Sequence, residues 1–282
     1  MRRALLAVAF FVPPLCLSGQ AIVVAPTALV IPGSTRSGAV TLINSGNVAA
    51  ELTLSTMFGY PATDTAGRMF LQTLDVVDDT VPSAESWLRI YPRQLRLAPG
   101  ERRTVRVLAS PPPGVHDGEY WARLVVASRE AASTPTPASD SADAAPGVRI
   151  GLSLEVRQVI GVFFRQGQVA TTVAVDTPRV AIVGDSLVAR VPLRRGGNAA
   201  FVGSLRATLL DDHGVVFGER VLPLGVYYSL TPRLTLPLRG VPTGHIRLRL
   251  EAVSERPDVP AVALLRARTV RREIVLDLPR TG

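Results

Sequence analysis

Three histidines, His116, His213 and His245, are the side chains best suited to ligate a metal or shuttle a proton near neutral pH. They are widely separated in the chain. No pair has the short helical or loop spacing of a zinc site, and no cysteine stands near any of them. Cys16 is the single cysteine and falls in the N-terminal leader. Two acidic clusters, Asp75 with Asp78 and Asp79, and Asp211 with Asp212, read as strands that end in acidic turns, because neither has the ligand spacing of a calcium loop. No Gly-x-Ser-x-Gly elbow, phosphate-binding loop or dinucleotide fingerprint occurs. The expectation is a non-enzymatic protein with no metal and no cofactor. The chemistry left to it is contact, and the stretch best suited to contact is GVRIGLSLEVRQV at 147–159. There Val148, Ile150, Leu152, Leu154 and Val156 alternate with Arg149, Gly151, Ser153, Glu155 and Arg157. A strand sends successive side chains to opposite faces, so this row forms one apolar face. It either lines the protein's own core or is offered to a partner.

Such a row needs a sheet, and the chain is rich in sheet patterns. SGAVTLIN, AELTLSTMF, WLRIYP, RRTVRVLAS, EYWARLVVAS and RIGLSLEVRQVIGVFF are short alternating runs separated by Gly, Pro, Asn and Asp turns. A second series follows: ATTVAVD, SLVARVPLRR, GSLRATLLDD, RLTLPLRG, HIRLRLEAVS and ALLRARTVRREIVLDL. Helical patterns are few. The expected fold is all-β, two tandem immunoglobulin-like β-sandwich domains after a signal peptide. The strand–turn–strand order of VTLINSGNVAAELTLS is echoed by VPLRRGGNAAFVGSLRATL, which supports two related units. The expected boundaries are a leader at 1–21, a first sandwich at 22–166 and a second at 167–282. The stretch at 131–147, small, polar and Pro-rich, is expected to form a flexible loop within the first domain.

The leader pattern is Arg2 and Arg3, then an apolar run from Ala4 to Leu17, then small residues, with cleavage expected before Ile22. That run is short for a membrane span, and no later run is long enough, so no stable membrane insertion is expected once the leader is gone. A mature chain without cysteine holds together by core packing alone, and a hydrophobic fraction of 47% suits that. The formal charge is +8 and falls to +6 without Arg2 and Arg3. Every basic residue is Arg, and the arginines are spread along the chain. In RIYPRQLRLAPGERRTVRV they largely alternate with apolar residues, as on a solvated strand face, so no nucleic-acid partner is expected.

YPRQLRLAPGERRTVRVLA at 91–109 resembles the N-terminal domain of periplasmic PapD-like pilus chaperones. The resemblance extends to IVVAPTALVIPGSTRSGAVTLINSGNVAAELTLS, similar to that family's first two strands, and to VRIGLSLEVRQVIGVFFRQG, similar to its last. It covers roughly residues 22–166. It implies an ATP-independent assembly chaperone in the periplasm that lends an edge strand to pilin-like subunits by β-augmentation, with an outer-membrane usher as a further partner. The donor row would be Val148, Ile150, Leu152, Leu154 and Val156. The family's basic pair for a subunit carboxylate is not matched residue for residue. The first strand has no basic residue and Gly161 aligns with the second position, leaving Arg157 and Arg165 as candidate substitutes. The competing reading is a structural or adhesive cell-surface or secreted protein of tandem immunoglobulin-like domains.

Overall fold

The computed structural model describes residues 22–78, 80–131 and 154–278. The first series of runs forms β1 (Ile22–Ala25), β2 (Ala28–Pro32), β3 (Ser37–Asn44), β4 (Ala50–Thr63), β5 (Met69–Leu74), β6 (Leu88–Tyr91), β7 (Gln94–Leu97), β8 (Arg102–Ala109), β9 (Gly118–Glu130) and β10 (Glu155–Gln166). They make two sheets, ordered β1-β3-β8-β6 and β2-β10-β9-β4, with β5 and β7 also pairing β4. The chain between β1 and β2 changes sheet, so the first expected strand serves both layers.

Alternation decides which side chains are inside. In RRTVRVLA only Val105, Val107 and Ala109 are buried while Arg102, Arg103, Arg106 and Leu108 face out. They meet Leu52 and Leu54 of β4, Ala122, Leu124 and Val126 of β9, and Ile160, Val162 and Phe164 of β10 in one core. This is two-layer sandwich packing, in which each sheet hides one face against the other. Asn44 at the end of β3 is wholly buried, and its side-chain amide donates to the carbonyls of Val48 and Leu97, fixing the turn into β4.

The second series forms β11 (Thr171–Val175), β12 (Arg179–Val183), β13 (Ser186–Arg190), β14 (Leu193–Gly197), β15 (Phe201–Leu210), β16 (Val216–Val226), β17 (Ser229–Leu230), β18 (Arg233–Pro237), β19 (Gly244–Val253) and β20 (Val270–Leu278). A four-stranded sheet, β16-β15-β19-β20, covers a core closed on its other side by β11-β14-β17 and β12-β13-β18. The run SLVARVPLRR is divided: Pro192, which has no N–H for a ladder bond, separates β13 from β14, and the two halves join different sheets. The run ALLRARTVRREIVLDL becomes a strand only from Val270 onward. The fold is thus all-β with two immunoglobulin-like sandwiches. Among the described residues no helix is long and apolar enough to cross a membrane.

Candidate functional site

Within the described part of the expected donor row, the ladder pattern of β10 is uneven. It pairs antiparallel with β9 over its whole length, Glu155 opposite Arg129 to Gln166 opposite Gly118. On its other side it pairs parallel with β2, but only from Gly161 opposite Ala28 to Arg165 opposite Pro32. From Glu155 to Ile160 no strand pairs with that second side among the described residues. An unpaired strand edge presents N–H and C=O groups to any chain that can lie beside it.

The side chains above this edge grade from core to surface. Ile160, Val162 and Phe164 point into the first core. By alternation Gln158, Val156 and Leu154 stand on the same face. Val156 closes a row with Ser128 and Leu52, and exposure rises along it from 1% at Leu52 and 3% at Ser128 to 37% at Val156. Leu154 is 69% exposed. The apolar row therefore leaves the sandwich as it runs toward its N-terminal end. Gln158 marks the change: its side-chain amide donates to the carbonyl of Ile22 in β1, so the last internal position before the exposed pair is polar and tied. Val148, Ile150 and Leu152 lie outside the described residues, as does the expected loop except for Ala131.

The two candidate cations occupy different settings. Arg157 is exposed on β10 and its Nε donates to Glu155 at 2.6 Å. Arg165, offered as a substitute anchor, is engaged inside the chain. Its Nε donates to Oε2 of Glu119 at 2.8 Å, and Nη2 donates to the carbonyl of Ala263 at 2.6 Å. The Glu119 side chain is fully buried and that of Arg165 is 13% exposed. Oε1 of Glu119 accepts from the Trp121 indole at 2.9 Å and from the backbone N–H of Ala200 at 3.0 Å. Glu119 belongs to the first sandwich while Ala200 and Ala263 belong to the second, so this ion pair is the joint between them.

Apolar and aromatic groups surround the joint. Phe58, Trp121 and Phe163 of the first sandwich pack with Ala200, Val202, Tyr227 and Ala263 of the second. Trp121 meets Tyr227 at 4.7 Å and Tyr228 at 5.5 Å between ring centroids. Burial raises the pKa of the Tyr227 phenol. Arg123, directly opposite Gly161, lies 5.1 Å from the Tyr227 ring centre and donates to the carbonyl of Gly59. Among the described residues its buried Nη2 finds no hydrogen-bond partner. A Cβ at position 161 would come within 3.1 Å of the Arg123 Nη1, so glycine there admits the guanidinium. The sequence reading missed Glu119, Arg123 and Tyr227. The one available signal was a lone acid, Glu119, flanked by Gly118 and Tyr120 at the start of a strand with a buried apolar pattern.

His245 contacts Asp277 at 2.9 Å on the second sandwich. Among the described residues no three His, Cys, Asp or Glu side chains are grouped as metal ligands.

No family model matches the sequence and no curated protein matches it. Solved structures do resemble the fold. A chain in the complex of the Salmonella enterica SafA pilin with the SafB chaperone is 14% identical, covering 91% of this chain and 96% of its own, with a TM-score of 0.40. The YadV chaperone is 14% identical over 90% and 99%, with a TM-score of 0.42. The periplasmic chaperone SfaE is 12% identical over 89% and 98%, with a TM-score of 0.39.

Proposed function

We propose that this protein is an ATP-independent assembly chaperone of the periplasm, which binds pilin-like surface subunits by lending them the free edge of β10. The observation that carries the reading is the exposure of Val156 and Leu154 beside six strand residues that, among the described residues, no neighbour pairs on one side. A guest strand laid along Glu155–Ile160 would gain a ladder about 20 Å long. Its sandwich would receive Leu154 and Val156, continued by Leu152, Ile150 and Val148. Arg157, exposed on the same strand and paired with an exposed carboxylate, Glu155, is more accessible to a subunit carboxylate than Arg165, which the buried Glu119 holds. An outer-membrane usher is the further partner in this scheme.

The test is a paired set of variants in the exported full chain. Leu154→Asp with Val156→Asp removes two side chains that would each contribute roughly 1.5–3 kcal/mol once buried in a guest, before association costs. Capture of subunits encoded beside the protein should fall by about 10²- to 10⁴-fold, while thermal unfolding stays within a few degrees of wild type. Ile160→Asp, on the same face but 7% exposed, should instead destabilise the first sandwich. Unfolding by the Leu154/Val156 pair as severe as by Ile160→Asp would make the row an ordinary core strand. Undiminished capture by a folded pair variant would remove strand lending from the account.

A further inference from the structure

We propose that the outward face of the β12-β13-β18 sheet is a binding site for a phosphate-type oxyanion on a ligand with a small apolar body. The site is in the second sandwich, away from the β10 edge, and does not depend on the chaperone reading.

The register of the three strands creates it. Arg179 of β12 is directly opposite Arg190 of β13, which is directly opposite Arg233 of β18. Leu187, Ala189, Leu234 and Leu236 take the core side of these strands, so the three arginines share the other face, and all three are exposed. Residues directly opposite in an antiparallel pair have Cβ atoms about 4.5–5.5 Å apart, and like charges placed so are destabilising.

Several other arginines on the sheet faces of this protein are paired, although, among the described residues, exposed ones such as Arg102 and Arg106 of β8 are not. Arg249 meets Glu273, Arg271 meets Glu251, Arg206 meets Glu219 and Arg194 meets Asp176. Among the described residues no carboxylate lies within ion-pair distance of Arg179, Arg190 or Arg233. Three guanidinium groups in one row, each with planar forked donors and no side-chain hydrogen bond among the described residues, suit an oxyanion with several acceptor oxygens.

The row is also one wall of a depression. An open trough of about 420 Å³ is lined by the three arginines together with Ala181, Val183 and Val188. Ala181 and Val188 face each other in the next register row, and Val188 is only 8% exposed although it lies on the outward side. The apolar floor beside the cations gives the ligand a place for a few carbon atoms next to its charged group. The position of the row is pinned from the first sandwich. The backbone N–H of Arg233 donates to the carbonyl of Gly67 at 2.9 Å, and that of Thr231 donates to the Thr63 hydroxyl at 3.0 Å. The β4–β5 turn thus holds one end of the row against the other sandwich, so the spacing of the arginines is set before a ligand arrives.

The test uses the mature full chain and pyrophosphate as probe, read by calorimetry and by thermal unfolding at low salt. Wild type should bind pyrophosphate and unfold at higher temperature with it than with sodium chloride of equal ionic strength. Arg190→Gln, which removes the central charge, should weaken binding about tenfold or more, and without ligand it should unfold at a higher temperature than wild type because the repulsion is relieved. Arg239→Gln, a loop arginine, should match wild type in both. Flotation with phosphatidylglycerol vesicles but not phosphatidylcholine vesicles, lost in Arg190→Gln and competed by pyrophosphate, would assign the phosphate to a lipid headgroup. Pyrophosphate binding without flotation would assign it to a soluble ligand. Equal responses to pyrophosphate and matched chloride, or equal pyrophosphate affinity in wild type and Arg190→Gln, would overturn the proposal.

Discussion

Replacing Arg165 by Met should do far more than remove one surface charge. Glu119 would keep two neutral donors, the Trp121 indole and the Ala200 N–H, but lose the cation paired with it, and the Ala263 carbonyl would lose the Arg165 donor. The carboxylate is fully buried, so water cannot replace what is lost. Removing one partner of a buried ion pair costs roughly 3–5 kcal/mol. Domains are stable by about 5–15 kcal/mol, so the loss is a large share of the total. At a urea m-value near 3 kcal/mol/M the midpoint should fall by about 1–2 M. The assay is built into the fold: of the two tryptophans, Trp121 donates to Glu119 itself and Trp87 packs on the first core. Their combined emission should follow unfolding from the joint. The double variant Glu119→Gln with Arg165→Met removes the stranded charge and should recover at least half of the loss. A single-variant cost below about 1 kcal/mol, or a double variant no more stable than the single, would refute the claim that the buried pair holds the sandwiches together.

Two other results should follow from the same region. Gly161→Val places a branched side chain where a Cβ already lies 3.1 Å from both Arg123 Nη1 and the Phe163 ring. Overpacking of this kind costs about 1–3 kcal/mol, to be read as a lower urea midpoint with unchanged secondary structure by circular dichroism. At high pH the Tyr227 phenol is informative. Its folded pKa lies above the ordinary 10.0 because the ring is buried. A raised folded value means its stabilising contribution is complete below pH 10 and is lost as pH climbs through the folded value. Tyrosinate absorbance should therefore show fewer than five phenols titrating before the chain unfolds, and Tyr227→Phe should shrink the delayed component, to which burial of Tyr120 and Tyr228 also contributes. Five phenols ionising together at the ordinary value would contradict this burial.

Parts of this architecture were legible because a period of two is a local property. RRTVRVLAS reads out its inward positions without help, and β8 buries Val105, Val107 and Ala109 accordingly. β12 and β16 were not recognised. β12 exposes most of its residues, so its apolar side chains make no alternation, and β16 carries Gly218, Pro223 and Gly225 within its run. The joint was harder still. Arg165 was visible as a cation at the end of a strand, but Glu119 precedes it by 46 positions, and only the β9–β10 register sets the two opposite. The Arg179, Arg190 and Arg233 row is the same kind of fact. Each arginine alone looks like ordinary solvated surface, and their adjacency exists only once three strands are aligned.

The short reach of β2 has a consequence for any lodger on β10. A visiting strand that zips along from Leu154 must halt at Gly161, where Ala28 already occupies the ladder. If a guest strand does lie there, β2 acts as a ruler: the inner limit of the berth is set where β2 takes over the ladder.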